Sequence, residues 1–244
     1  MNTAGPSSGP AFSPYGRWAT VPAQAVQEEL RRAFRRWGRP DCLRVDNGCP
    51  WGATGGLPTE LSLWVLGLDV AMHWNDPGCS TQNGVVERTH GVSQRWVESH
   101  TCGSVAELQG RLDANDQIQR ERYPSIGGQS RLAAYPALAH SGREYSRKWE
   151  KQHWQLGLVL AYLSTCTVPR KVDRSGKVSL YNRGYMVGKR YSGQDVYVTL
   201  EEETVEWIIL DKQGSEYRRQ PARELTRDNI LHLCVSRHGS SPPP

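Results

Sequence analysis

Between residues 24 and 98 the apolar pattern switches period repeatedly, from helical to extended and back, and few architectures accept that alternation. Val26, Leu30, Ala33, Phe34 and Trp37 recur at helical spacing, which predicts a helix over residues 24–37 ended by Gly38. Residues 43–46 follow as a short buried strand, and residues 58–68 as a second helix carrying Leu61, Leu63, Trp64, Val65 and Leu68. Val70, Met72 and Trp74 alternate through a second strand over residues 69–74. Residues 83–98 then predict a third helix, with Val85 or Val86, Thr89, Val92 and Trp96 turned inward and Glu87 on a different face. This order specifies an α/β fold, a class that presents its sites at the carboxyl ends of its strands.

Asp46 stands at such an end, in Val45-Asp46-Asn47-Gly48. The answering segment is Gln82-Asn83-Gly84-Val85-Val86-Glu87-Arg88, where Glu87 lies one turn into the third helix. A carboxylate there feels the positive end of the helix dipole and stays ionised. Two such carboxylates brought together either repel or hold a hard divalent cation through oxygen. The plain alternative is a turn aspartate and a solvated helical glutamate. Arg31, Arg32, Arg35 and Arg36 flank the first helix, either as a solvated face or as DNA contacts.

Downstream, Ser104 and Glu107 form a capping box that opens a helix ending before Pro124, and Ser141 and Glu144 form another, opening a helix through Trp149 and Trp154. From residue 167 short strand-like runs alternate with turns such as Arg174-Ser175-Gly176 and Lys212-Gln213-Gly214, predicting a small antiparallel β-barrel. Arg170, Lys171, Arg174, Lys177, Arg183, Lys189 and Arg190 gather in its first half, interleaved with Tyr181, Tyr185 and Tyr191. Such a surface suits phosphate contact plus base stacking, or is an ordinary solvated face. Glu201, Glu202, Glu203 and Glu206 read as a strand end pointing away from DNA. The resulting division is residues 1–14 disordered, 15–140 a partial core with a trailing helix, 141–166 a helical linker, 167–236 the barrel and 237–244 a disordered tail.

The 244 residues carry a formal net charge of +5, which permits nucleic-acid binding without requiring it. Six cysteines in neither zinc-site nor disulfide-framework spacing read as reduced thiols. With no apolar run long enough to span a bilayer and no signal-peptide pattern, the expectation is a soluble, cytoplasmic protein with no membrane partner.

Taken together, the strand-terminal Val-Asp-Asn-Gly, the Gln-Asn-Gly-Val-Val-Glu-Arg segment and the trailing β region resemble the integrase core of retroviral-integrase-like DDE transposases of bacterial insertion sequences. The core likeness covers residues 12–98, and a weaker one continues to about residue 235. The resemblance implies an RNase H-like fold in which three carboxylates hold two Mg²⁺ or Mn²⁺ ions for in-line attack on a phosphodiester. Carried over, Asp46 is the second acid and Glu87 the third, both catalytic and metal-binding; Asn47, Gly48 and Gly84 shape the site, and Asn83 caps the Glu87 helix. Arg88 either pairs within the core or contacts DNA phosphate. The implied partners are DNA and further copies of the chain, with no small-molecule substrate.

Two features depart from the family. Forty residues separate the two acids, and Thr81 stands where Pro is frequent. More important, no Asp or Glu precedes Glu28, so the first acid has no counterpart. The sequence reads as starting near the third strand of such a core, either because its true start lies upstream or because it is a truncated remnant. A chain of that kind is expected to be inactive in strand transfer, and to be marginally stable or to associate. The alternatives are a non-catalytic DNA-binding remnant, an RNase H-like nuclease, or a protein unrelated to nucleic acid.

Overall fold

The computed structural model of the chain describes residues 21–52, 56–76 and 84–236. The expectations for residues 1–14, Asn83, the tail and the side chains of Val85 and Val86 lie outside the described residues. The chain is a mixed α/β protein whose elements follow the expected order. Helix α1 spans Ala23–Trp37, strand β1 Cys42–Val45, helix α2 Glu60–Gly67, strand β2 Ala71–Trp74 and helix α3 Gly84–Val97. Helix α4 runs Val105–Glu121, with a short α5 at Arg131–Ala134, then α6 at Arg147–His153 and α7 at Leu156–Ser164.

Helix α2 is apolar on every side, and a helix of that kind has to be buried. Every residue from Leu61 to Leu68 is in fact buried. Thr59 caps it, its hydroxyl accepting the Ser62 N–H at 3.3 Å. β1 and β2 pair in parallel on either side of α2 in sequence, with Leu43 opposite Met72 and Val45 opposite Trp74. α1, α7 and a later helix pack on α2 as well. Leu61, Leu63 and Val65 each contribute roughly 1.5–3 kcal/mol by leaving water.

Gly67, at the end of α2, lies against the Trp154 indole, in the space a Cβ would occupy. Trp154 in turn donates its Nε1–H to the Trp64 carbonyl at 2.9 Å. Gly67→Ala is therefore expected to cost about 1–3 kcal/mol through overpacking. The check is a lower denaturant midpoint at unchanged m value; an unmoved midpoint would show that the Trp154 seam yields freely.

The second half is built from β3 (Val168–Lys171), β4 (Lys177–Leu180), β5 (Arg183–Met186), β6 (Asp195–Glu201), β7 (Glu206–Leu210), β8 (Glu216–Pro221) and the short helix α8 (Arg227–Leu231). All six expected strands form, but no closed barrel forms among the described residues. The strands make a four-stranded antiparallel sheet in the order β3-β6-β7-β8 and a separate β4-β5 hairpin. The hairpin lays its apolar side (Val178, Leu180, Tyr185) into the same core as Val196, Val198, Trp207 and Ile209 of the sheet. Side-chain packing joins the two where a closing ladder was expected. One contiguous core runs from Phe34 to Val235, so the α/β layer and the β half share an interior.

Two further expectations are corrected. Ser104 does cap α4, accepting the Glu107 N–H at 3.1 Å, although the Glu107 carboxylate returns to Gly103 rather than to the cap itself. Ser141 opens no helix. Its N–H is taken by the Trp37 carbonyl, and Arg143 bonds the Pro40 and Asp69 carbonyls, which holds this stretch extended across the α1–β1 corner. The helix starts instead at Arg147, capped by Ser146. The segment expected as a linker contains α7, whose Val159, Leu160 and Leu163 are buried between α2 and β6.

Candidate nucleic-acid interface and carboxylate site

Asp46 follows the last residue of β1 and is exposed. Its Oδ1 accepts the Gly48 N–H at 3.1 Å, and Asn47 donates its side-chain amide to the Asn75 carbonyl at 2.7 Å. These bonds tie the loop after β1 to the loop after β2, so Asp46 is presented at the carboxyl ends of both strands. Glu87 lies exposed in the first turn of α3, which Gly84 opens, and Arg88 beside it is exposed too. α3 packs chiefly on α4, where Asn115 donates to Ser93 Oγ at 2.9 Å and Arg111 to the Val97 carbonyl at 3.1 Å. The segment that carries β2 into α3 falls outside the described residues, and no described interaction joins Asp46 to Glu87.

Among the described residues no group of three or more His, Cys, Asp or Glu side chains gathers closely enough to hold a metal ion. Asp46 and Glu87 are oxygen donors of the kind Mg²⁺ and Mn²⁺ accept. A two-ion centre would need a third carboxylate beside these two, and none gathers with them among the described residues.

The basic residues of the β half divide by strand alternation. On β3, Val168, Arg170 and Val172 point one way and Lys171 the other. Arg170 is half-buried, its Nε donating to the Ser179 carbonyl at 3.2 Å and its Nη1 to the Pro169 carbonyl at 2.8 Å. Burial lowers its pKa, partly offset by Tyr181. Arg183 sits opposite Leu180 on the core side of the hairpin, its Nε 3.5 Å from the Val235 carbonyl. These two are engaged with the main chain.

The other five are exposed and converge on one end of the sheet. Asp173 builds the turn after β3, accepting the N–H groups of Ser175 at 2.8 Å and Lys177 at 2.9 Å and the Ser175 hydroxyl at 2.7 Å. Those bonds, the one from Lys177 foremost, hold its carboxyl below the usual range. Gly176, at φ +84°, turns its carbonyl to the N–H groups of Val187 and Gly188, and a Cβ there would meet the Lys189 nitrogen at 2.5 Å. Val172 pairs with Gln194 and Gly193. Arg174 and Lys177 are thereby drawn toward Lys189 and Arg190, with Lys171 at the adjoining strand end. None of the five forms an ion pair among the described residues. Arg190 lies over the Tyr191 ring, 4.7 Å from its centroid, and Tyr191 stacks on Tyr217 at 4.2 Å.

No protein-family model matches the chain. The functional reading therefore rests on charge and geometry. β6 begins at this basic end and finishes at Glu201, the last of its seven residues and about 20 Å away. There Arg219 is ringed by Glu201, Glu206 and Glu216. The five exposed cations form no ion pair among the described residues, whereas Arg219 is taken up by the three glutamates.

Proposed function

We propose that this chain is a DNA-binding protein of the integrase type, with an RNase H-like α/β core and a β half that contacts the phosphate backbone. The observation that carries the reading is the convergence of Lys171, Arg174, Lys177, Lys189 and Arg190, all exposed and none ion-paired among the described residues. The stacked Tyr191 and Tyr217 beside them provide a surface for a base or sugar. The likeness to DDE transposases adds DNA integration or recombination as the process, Mg²⁺ or Mn²⁺ as cofactor, a cytoplasmic setting and self-association. The second reading is a non-catalytic DNA-binding role, which a strand-transfer assay in Mg²⁺ or Mn²⁺ distinguishes from the first.

Five phosphate contacts predict a log–log salt slope of about −4.5, hence a roughly 500-fold loss of affinity over a fourfold rise in salt. Fluorescence anisotropy with a DNA duplex measures this. Lys177→Glu with Lys189→Glu and Arg190→Glu should flatten the slope by about 3 and abolish binding at moderate salt. Asp46→Asn and Glu87→Gln should leave binding unchanged. A salt-insensitive affinity, or the triple variant binding like the parent, would remove the basic end from the interface. Robust joining of DNA ends in Mg²⁺ or Mn²⁺ would sink the non-catalytic role.

A further inference from the structure

A second gathering of cations lines a cavity of about 620 Å³ between α1, α6 and α8. Its floor is the buried pair of Arg31 and Glu150, in which each charge meets its opposite. Glu28, on the α1 wall, is shared by Arg31 and Arg147 at 2.8 Å each. Two acids and two arginines thus compensate one another. The other charged groups of the wall are Lys151, Arg227 and Asp228, with His232 beside them. With His232 neutral, the lining carries one positive charge in excess. Lys151 and Arg227 form no ion pair among the described residues.

The main chain holds these cations in place. Arg147 and Lys151 stand one turn apart on α6 and so share a face. Arg227, the first residue of α8, donates its Nη2 to the Lys151 carbonyl, one of the four that a helix leaves unpaired at its carboxyl end. A cation is favoured there. α8 is tied to α1 in turn, because the buried Gln27 donates its Nε2 to the Leu231 carbonyl at 3.2 Å. The three helices are therefore fixed before any ligand enters, which lowers the cost of binding. Three cationic side chains reaching in from two helices suit the tetrahedral oxygens of a phosphate, whereas a planar carboxylate is satisfied by one guanidinium fork. The volume falls within the range of small-molecule pockets, roughly 300–1,000 Å³. Leu231 and Gln24 complete the wall with an apolar surface and an amide for the rest of such a molecule.

We propose that the cavity between α1, α6 and α8 binds a phosphate-bearing small molecule, its phosphate held by Arg147, Lys151 and Arg227. None of its lining residues belongs to the basic end of the sheet, so this site and the DNA-binding reading can fail separately. Titration calorimetry of the full chain with inorganic pyrophosphate, and with dAMP, is expected to show saturable binding at one site. Lys151→Glu should weaken both by about tenfold or more, and Lys151→Arg should keep them. Lys151 is exposed, so melting of either variant should stay at the parent value. Lys189→Glu with Arg190→Glu, at the sheet end, should leave pyrophosphate binding as it is. In the parent chain, pyrophosphate should slow hydrogen exchange at the amides of α6 and α8, a readout that needs no variant. Absence of binding, a Lys151→Glu variant that binds like the parent, binding that disappears with the sheet-end variant, or displacement of pyrophosphate by a DNA duplex would each overturn the proposal.

Discussion

Replacing Glu150 by Ala is expected to destabilise the protein by about 3–5 kcal/mol, a larger effect than any surface substitution in the chain. The Glu150 and Arg31 side chains are only 4% and 6% exposed. Arg31 Nη2 reaches Glu150 Oε1 at 2.5 Å and its Nε reaches Oε2 at 3.1 Å, a bidentate pair. Tyr145 donates its hydroxyl to the same carboxylate, and Trp64 its indole N–H at 3.1 Å. α1, α2 and α6 thus meet on one carboxylate. Its removal strands a guanidinium, left with Glu28 and Gln27 alone, together with two buried donors. The loss should appear as a melting temperature lower by roughly 10 °C. Arg31→Met combined with Glu150→Leu should recover much of it, since an apolar pair leaves no charge uncompensated. A single variant that melts like the parent would remove this cluster from the account of stability.

The same carboxylate gives the fold an acid limit. Burial pushes the Glu150 pKa up, but the Arg31 and Tyr145 hydrogen bonds, the Arg31 charge and the Trp64 indole outweigh it, and the folded value lies below the ordinary 4.5. A depressed folded pKa contributes stability that is complete above the unfolded value and lost as pH falls through the folded one. Stability from this group should therefore be flat above about pH 5 and decline below pH 4.5. Glu150→Gln should flatten that part of the profile.

Local pattern was enough to place α1, α2, β1, β2 and the six strands of the β half, because each carries its own period and its own bounding Gly, Pro or cap. The basic residues are read from sequence as undivided groups, although their spacing separates them. Arg170 sits in register with Val168 and Val172, a two-residue spacing that marks it as inward. Arg31 shares a helical face with Gln27 and Phe34, both buried, while Arg32, Arg35 and Arg36 are exposed. Long-range partners were not legible. Glu150 lies 119 residues from Arg31, and nothing in its neighbourhood marks it as buried. α7 passed for a linker because its packing partners, α2 and β6, lie far away in sequence. α8 is five mostly polar residues, too short to show a period. The Ser141 box failed for a related reason: its backbone groups are claimed by Trp37 at the end of α1 and by Arg39 just beyond it, and tertiary bonds override a local cap. As for Asp46 and Glu87, the sequence places each on its element, and Asp46 does sit where parallel strands present their ends.

The second large effect is expected at Glu224, which is fully buried in the β half. Tyr185 donates its hydroxyl to Oε2, and Trp207 its indole N–H to Oε1 at 2.9 Å. Asn229 donates to the Glu224 carbonyl at 3.0 Å, tying α8 to the same point. The hairpin and the sheet therefore converge on the Glu224 carboxylate and α8 on its main-chain carbonyl. Glu224→Ala leaves two buried donors unmet and opens a cavity, and is expected to cost about 3–5 kcal/mol. Tyr185→Phe removes a single bond and should cost about 1–3 kcal/mol. Glu224→Gln is the discriminating variant. Its amide oxygen can still serve Trp207, but its NH₂ then faces the Tyr185 hydroxyl, which has to turn to accept. Both single variants lose the same Tyr185–Glu224 hydrogen bond, so the double variant Tyr185→Phe/Glu224→Gln should cost less than the sum of the two by about 1 kcal/mol. Denaturant melts of the four proteins measure the cycle, with Trp207 as one of the fluorophores. Strict additivity would mean that Tyr185 and Glu224 do not act through each other, and that apolar packing alone holds the hairpin on the sheet.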